Sequence, residues 1–114
     1  MPDATVYKVL TEAEMAQLEA DGRFAGSNDD RRDGFIHLST CDQLTETVRT
    51  HFAGREDLVI VALDVAGLGP ALKWEESRGG ASFPHLYGVL TLETVVAYSP
   101  LHWDGDHVRL PVTG

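Results

Sequence analysis

Residues 58–65, Leu58-Val59-Ile60-Val61-Ala62-Leu63-Asp64-Val65, form a near-continuous apolar, β-branched run bounded by turn residues. A run of this length and composition reads as a strand covered on both faces, and therefore as the central strand of whatever sheet the chain builds. The rest of the chain must supply two covering layers. At 114 residues it can do so within one domain, 1–114, because a chain of that size buries about two thirds of the surface it exposes when unfolded.

The charge balance narrows the partners. A formal net charge of -9 and a pI near 4.8 oppose the counterion release that drives binding to DNA or RNA, so no nucleic-acid partner is expected. The basic pair Arg31-Arg32 is cancelled by Asp29, Asp30 and Asp33. A single cysteine allows no internal disulfide and points to a reducing compartment, for which the cytoplasm is the default. Met1-Pro2-Asp3-Ala4 lacks the charged and apolar regions of a leader, and no apolar run approaches the roughly 18 residues of a membrane span, so no membrane association is expected.

Along the chain, Thr5–Leu10 reads as a strand. Thr11-x-x-Glu14 is a capping box, flanked by Leu10 and Met15 at the staple positions, and the helix it starts should end near Asp21 with Gly22 as its left-handed terminator. Gly26–Asp33 has no apolar period and reads as a solvated loop, a candidate lid. A second box, Thr40-x-x-Gln43, opens a helix with Leu44, Val48 and Phe52 on one face, ending near Gly54. After the central strand, Ala71–Ser77 is a short alternating segment. Phe83-Pro84-His85-Leu86-Tyr87-Gly88 reads as an ordered aromatic loop in which Pro84 keeps Phe83 extended. Thr94–Tyr98 is a strand, and residues 101–103 and 107–109 flank Asp104-Gly105-Asp106 as a hairpin. Two helices in the first half and most strands in the second predict an α+β domain with a mixed, mostly antiparallel sheet.

The chemistry concentrates in three segments. In Asp33-Gly34-Phe35-Ile36-His37-Leu38-Ser39-Thr40, strand alternation sends Ile36 and Leu38 to the core and leaves Phe35, His37 and Ser39 on the opposite face. The competing reading is a hydrogen-bonded structural histidine beside a turn serine. In Lys73-Trp74-Glu75-Glu76-Ser77, an inward Trp74 would take Glu76 with it and aim Glu75 at the groove; a solvated acidic edge is the alternative. In the third segment, Phe83, His85 and Tyr87 can stack on a flat ring and hydrogen-bond its rim, or pack down as a cover over the sheet edge.

Other signals are weaker. Cys41 sits in a first helical turn, where the dipole favours a thiolate, but a strand and the following helix start usually diverge, which separates it from His37. His37, His51, His85, His102 and His107 show no His-x-His or His-Glu-x-x-His spacing, so no metal is expected, and His51, His102 and His107 read as structural or solvated. Gly67-x-Gly69 precedes Pro70 and opens no dinucleotide-binding helix.

Taken together, the segment 33–40, Trp74-Glu75 and the segment 83–88 resemble the small bacterial family catalogued as domain of unknown function 952, across nearly the whole chain from Tyr7-Lys8 to Arg109-Leu110-Pro111. That family is similar in fold to the ADP-ribosyltransferases and RNA 2'-phosphotransferases, so the resemblance implies a split β-sheet whose cleft takes NAD or an ADP-ribosylated ligand. It further implies that His37 and Ser39 hold the adenosine-side ribose, that Glu75 is the catalytic carboxylate at the nicotinamide-side ribose, and that Phe83, His85 and Tyr87 complete the cofactor site, Tyr87 or Phe83 stacking on nicotinamide. Leu38 stands where that group commonly has glycine, and its Glu-x-Glu pair and clustered arginines are missing. The functions left open are an NAD-dependent ADP-ribosyl transferase or glycohydrolase, a non-catalytic nucleotide-binding module, and a structural or protein-interaction domain.

Overall fold

The run at 58–64 is indeed the middle strand of a sheet, and the remaining elements are arranged to cover it. The structure, a computed structural model, describes residues 4–76 and 78–112; Met1, Pro2, Asp3, Ser77, Thr113 and Gly114 lie outside the described residues. Strand β1 (Thr5–Thr11) leads into α1 (Glu12–Asp21), β2 (Arg23–Phe24), α2 (Asn28–Asp33), β3 (Ile36–His37) and α3 (Cys41–His51). Then follow β4 (Leu58–Asp64), the single turn α4 (Val65–Leu68), β5 (Leu72–Glu76), β6 (Ser82–Leu86), β7 (Leu90–Thr91), β8 (Val95–Pro100), β9 (Trp103–Asp104) and β10 (His107–Val108).

Two three-stranded antiparallel sheets carry the architecture, in the orders β1-β4-β8 and β3-β6-β5. They meet at one point, where Tyr7 and Ser39 exchange backbone hydrogen bonds of 2.8 and 2.9 Å. The domain is α+β with mostly antiparallel pairing. Every residue of β4 from Leu58 to Leu63 is buried. Val59, Val61 and Leu63 pack with Val6, Leu10, Met15 and Leu18 under α1, together with Ile36 and Leu86 of the second sheet. Ile60 and Ala62 face the other way, onto Tyr7, Val9, Leu44 and Val48 under α3.

The helix boundaries follow local chemistry. Both capping boxes form, Thr11 with Glu14 and Thr40 with Gln43. Leu10 and Met15 are both buried as the staple requires, and Gly22 ends α1 at φ +76°. The second helix is a correction: the expected loop at 26–33 contains α2, capped by a Ser27/Asp30 box and ended by Gly34 at φ +88°. Its apolar period is missing because it buries a carboxylate, Asp30, instead of a hydrophobic stripe. Helix α3 ends at His51, three residues before Gly54.

The aromatic segment is also a correction. Residues 82–86 form β6, the middle strand of its sheet, and not a loop. Proline is tolerated there because the Pro84 carbonyl accepts from Leu38 N–H beyond the end of β3, and its missing donor falls on that same side. The terminal hairpin forms as expected and docks on α3, with the Arg49 guanidinium 5.6 Å from the Trp103 ring centroid and Val108 N–H on Thr45. No helix among the described residues is long and apolar enough to cross a membrane.

Replacing Ile60, fully buried in the middle of β4, with alanine should lower the unfolding free energy by about 2–5 kcal/mol in urea titrations. Val96→Ala, half exposed on the outer strand β8, should stay within about 0.5 kcal/mol of the parent. Equal costs at the two positions would contradict a core centred on β4.

Candidate functional site

Strand alternation gathers the site on one face of the β3-β6-β5 sheet. Ile36, Leu86 and Leu72 are cross-strand partners, and Ile36 and Leu86 sit in the core. One residue along, His37, His85 and Lys73 are partners on the opposite face, and Glu75 opposes Phe83 on it. Phe35 precedes this row and Tyr87 follows it, each two residues from its histidine.

The side chains on that face touch one another. The Phe35 ring stacks on His85 at 4.1 Å and 23°, and lies 4.7 Å from His37 and 5.3 Å from Tyr87. The His37 and His85 rings stand 5.8 Å apart, edge to face. His85 Nδ1 lies 2.8 Å from Glu75 Oε1, and the Tyr87 hydroxyl donates to the same oxygen at 2.7 Å. These two bonds, His85 first and Tyr87 second, hold the Glu75 carboxyl below its ordinary range, while the bond to Glu75 raises the Tyr87 phenol. Glu75 is therefore charged at neutral pH although His85 beneath it is buried.

The other end of the row rests on a buried ion pair. Lys8 lies on β1 between Val6 and Leu10, on the core face, and is 6% exposed. A lysine there needs a partner at close range. Asp30, 2% exposed, supplies it: Lys8 Nζ donates to the two carboxylate oxygens at 3.0 and 3.2 Å, and to the His37 carbonyl at 3.1 Å. Asp30 also accepts from the Ser27 N–H at 2.9 Å, the His37 N–H at 3.1 Å and His37 Nδ1 at 2.7 Å. Burial pushes the Asp30 carboxyl up, but the His37 ring, the Lys8 ammonium and the two backbone amides outweigh it and hold the group far below its ordinary value. His37 Nε2 meets a second carboxylate, Asp33 Oδ2, at 2.9 Å.

A cleft of about 320 Å³ opens beside this end, lined by Lys8, Asp30, Asp33, His37, Ser39 and Thr47 among others. Of the residues singled out in the sequence, His37, Ser39, Phe83 and His85 line it; Glu75 and Tyr87 do not, and join it through His85 and Phe35. The Ser39 hydroxyl is buried and bonded to Thr47 at 2.9 Å. Glu75 occupies the expected face for a different reason from the one expected, because Trp74 is 40% exposed and does not turn inward. His51, expected to be structural or solvated, borders the cleft, while His102 and His107 are exposed away from it. No cluster of metal-ligating residues exists among the described residues.

Lys8 and Asp30, with Asp33 beside them, are members of the site that carry no chemical motif in the sequence. Two signals pointed to them: the Ser27-x-x-Asp30 spacing of a capping box, and a lysine set in an otherwise apolar strand.

This geometry has relatives. The family profile described as "Protein of unknown function (DUF952)" matches residues 9–98. The chain belongs to this family. The crystal structure of CC0527 from Caulobacter crescentus is 47% identical with a TM-score of 0.84, 91% of each chain being covered. The solution structure of CC0527 is 46% identical with a TM-score of 0.79, covering 93% of this chain and 91% of that one. The comparison with curated proteins gives no match. The DUF952 match spans α1 to β8 and so contains the whole row from Asp30 to Tyr87.

Because the Asp30 carboxyl is depressed in the folded state, its contribution to stability is present above the unfolded carboxylate value of about 4 and is lost as pH falls through and below it. Asp30→Asn should therefore lower stability at neutral pH by about 3–5 kcal/mol, since Lys8 is left buried without its counterion. Below about pH 4 its stability should fall less steeply than that of the parent. Urea unfolding across a pH series checks both, and parallel acid limbs would contradict the role given to Asp30.

Proposed function

We propose that this DUF952 chain holds NAD or an ADP-ribose-containing ligand along the Phe35-His37-His85-Tyr87-Glu75 face and cleaves it, as an ADP-ribosyl transferase or NAD glycohydrolase. The observation that carries the reading is the Glu75 carboxylate. It is ionised, fixed by two hydrogen bonds, about 39% exposed, and set in a row with the rings of Tyr87, Phe35 and His37. Support also comes from the resemblance of His37-Leu38-Ser39 to the ribose-binding strand of the ADP-ribosyltransferase group.

Breaking the bond between ribose and nicotinamide builds oxocarbenium charge on the sugar, and nicotinamide leaves as a neutral base. A fixed carboxylate at the ribose 2'-hydroxyl stabilises that charge, and this is the role of Glu75, the catalytic residue. Water or an acceptor nucleophile then attacks the sugar carbon. Tyr87 or Phe83 stacks on the departing ring, and His37 with Ser39 positions the adenosine side, Ser39 through the cleft wall it forms with Thr47. A cleft of about 320 Å³ encloses part of a dinucleotide and leaves the rest to the exposed row. The single cysteine fits the cytoplasm, where NAD is available.

Incubation with NAD should release nicotinamide, and Glu75→Gln should reduce the rate by about 100-fold or more while leaving ADP-ribose affinity, measured by calorimetry, within a few-fold. Binding without release would identify a non-catalytic nucleotide module. Neither binding nor release would overturn the reading in favour of a structural domain.

A further inference from the structure

The Asp33 carboxylate is held by Arg32 and the His37 ring within the cleft. Asp33 is the last residue of α2 and its side chain is 34% exposed. Its Oδ2 lies 2.9 Å from His37 Nε2, and its Oδ1 accepts from Arg32 Nε at 3.1 Å. Arg32 reaches back to Asp29 at 3.1 Å, and all four residues line the cleft. His37 is anchored on its other side by the buried Asp30, so its Nε2 points from a fixed base. Among the described residues, the Asp33 side chain is bonded to the exposed Arg32 and the half-exposed His37.

We propose that His37 Nε2 and Arg32 form an oxyanion subsite, for a phosphoryl or carboxylate group of the ligand, which Asp33 occupies as an internal stand-in until the ligand displaces it. The inference rests on the same cleft as the nucleotide reading and names the ligand group that enters there. Two hydrogen-bond donors, His37 anchored and Arg32 on the exposed helix end, now grip one carboxylate through its two oxygens, which is how a phosphate oxygen pair would be gripped. Around the subsite the Lys8 and Arg32 cations and the His37 ring, each of whose nitrogens meets a carboxylate, face Asp29, Asp30 and Asp33. Lys8 and Asp30 satisfy each other in the interior, so the exchangeable charge is that of Asp33. On displacement Asp33 swings toward solvent at the end of its helix, where Gly34 gives the backbone its left-handed exit.

Removing the stand-in should therefore open the subsite. Inorganic phosphate titrated into the full chain and followed by calorimetry, with the ring nitrogen shifts of His37 as a second readout where that ring is present, should bind Asp33→Ala about tenfold or more tighter than the parent. Asp33→Asn, which keeps the side-chain shape, should move in the same direction, so a folding defect in one variant cannot produce the result. Adding His37→Asn to Asp33→Ala should abolish the gain. Acetate titrated in parallel separates the two sources: a larger gain for phosphate assigns a phosphoryl group, and a larger gain for acetate assigns a carboxylate. Unchanged affinity on removing Asp33, no binding to any variant, or a gain that survives His37→Asn would overturn the proposal. Its outcome is independent of catalysis, because phosphate capture at His37 is read without NAD, and NAD cleavage is read without phosphate.

Discussion

The buried Lys8–Asp30 pair is the interaction around which the rest is arranged. A lysine on the core face of β1, between two fully buried aliphatic side chains, cannot stay ionised there without a carboxylate at contact distance. Asp30 comes from a six-residue helix with no apolar stripe of its own. That helix is held in place by its one buried carboxylate and by its caps. The same carboxylate binds the backbone and ring of His37, so the pair links β1, α2 and β3 beside the Tyr7–Ser39 bridge where the two sheets meet. The desolvation cost borne at Asp30 leaves a histidine fixed at the cleft wall, with its second nitrogen on the partly exposed Asp33 carboxylate.

From there the period of a β-strand does the work. Because β3, β6 and β5 pair in register, alternate residues of three separate segments fall on one face, and Phe35, His37, His85, Tyr87 and Glu75 become neighbours although 52 positions separate the first from the last. The opposite face, Ile36, Leu86 and Leu72, packs on the core of the β1-β4-β8 sheet. A one-residue slip in any of the three strands would exchange the two sets, so the core that holds the sheet also specifies the site.

Much of this was legible in the residues. The apolar run at 58–64 declared itself central, both long helices were marked by complete capping boxes, and the alternation at 35–39 correctly divided core from site. What escaped had physical causes. Helix α2 carries no hydrophobic period because tertiary ion pairing, and not a buried stripe, holds it. Strand β6 was hidden by Pro84, whose missing donor is harmless only because β3 ends at His37. Trp74 broke the rule that tryptophan turns inward, yet Glu75 still reached the site, since its face is set by pairing with Phe83. Lys8 showed itself only as a lysine in an apolar strand, because its contacts with Asp30 and the His37 carbonyl are made across the fold, while Asp33 meets His37 four residues on, around the turn at Gly34.

The five histidines make the central claim directly measurable. In a titration of the full chain with ADP-ribose, monitored by imidazole proton and nitrogen resonances, the account predicts that His37 and His85 shift together and saturably, while His102 and His107, exposed and away from the cleft, do not move. Saturable shifts confined to His102 and His107, or none at any histidine, would contradict it.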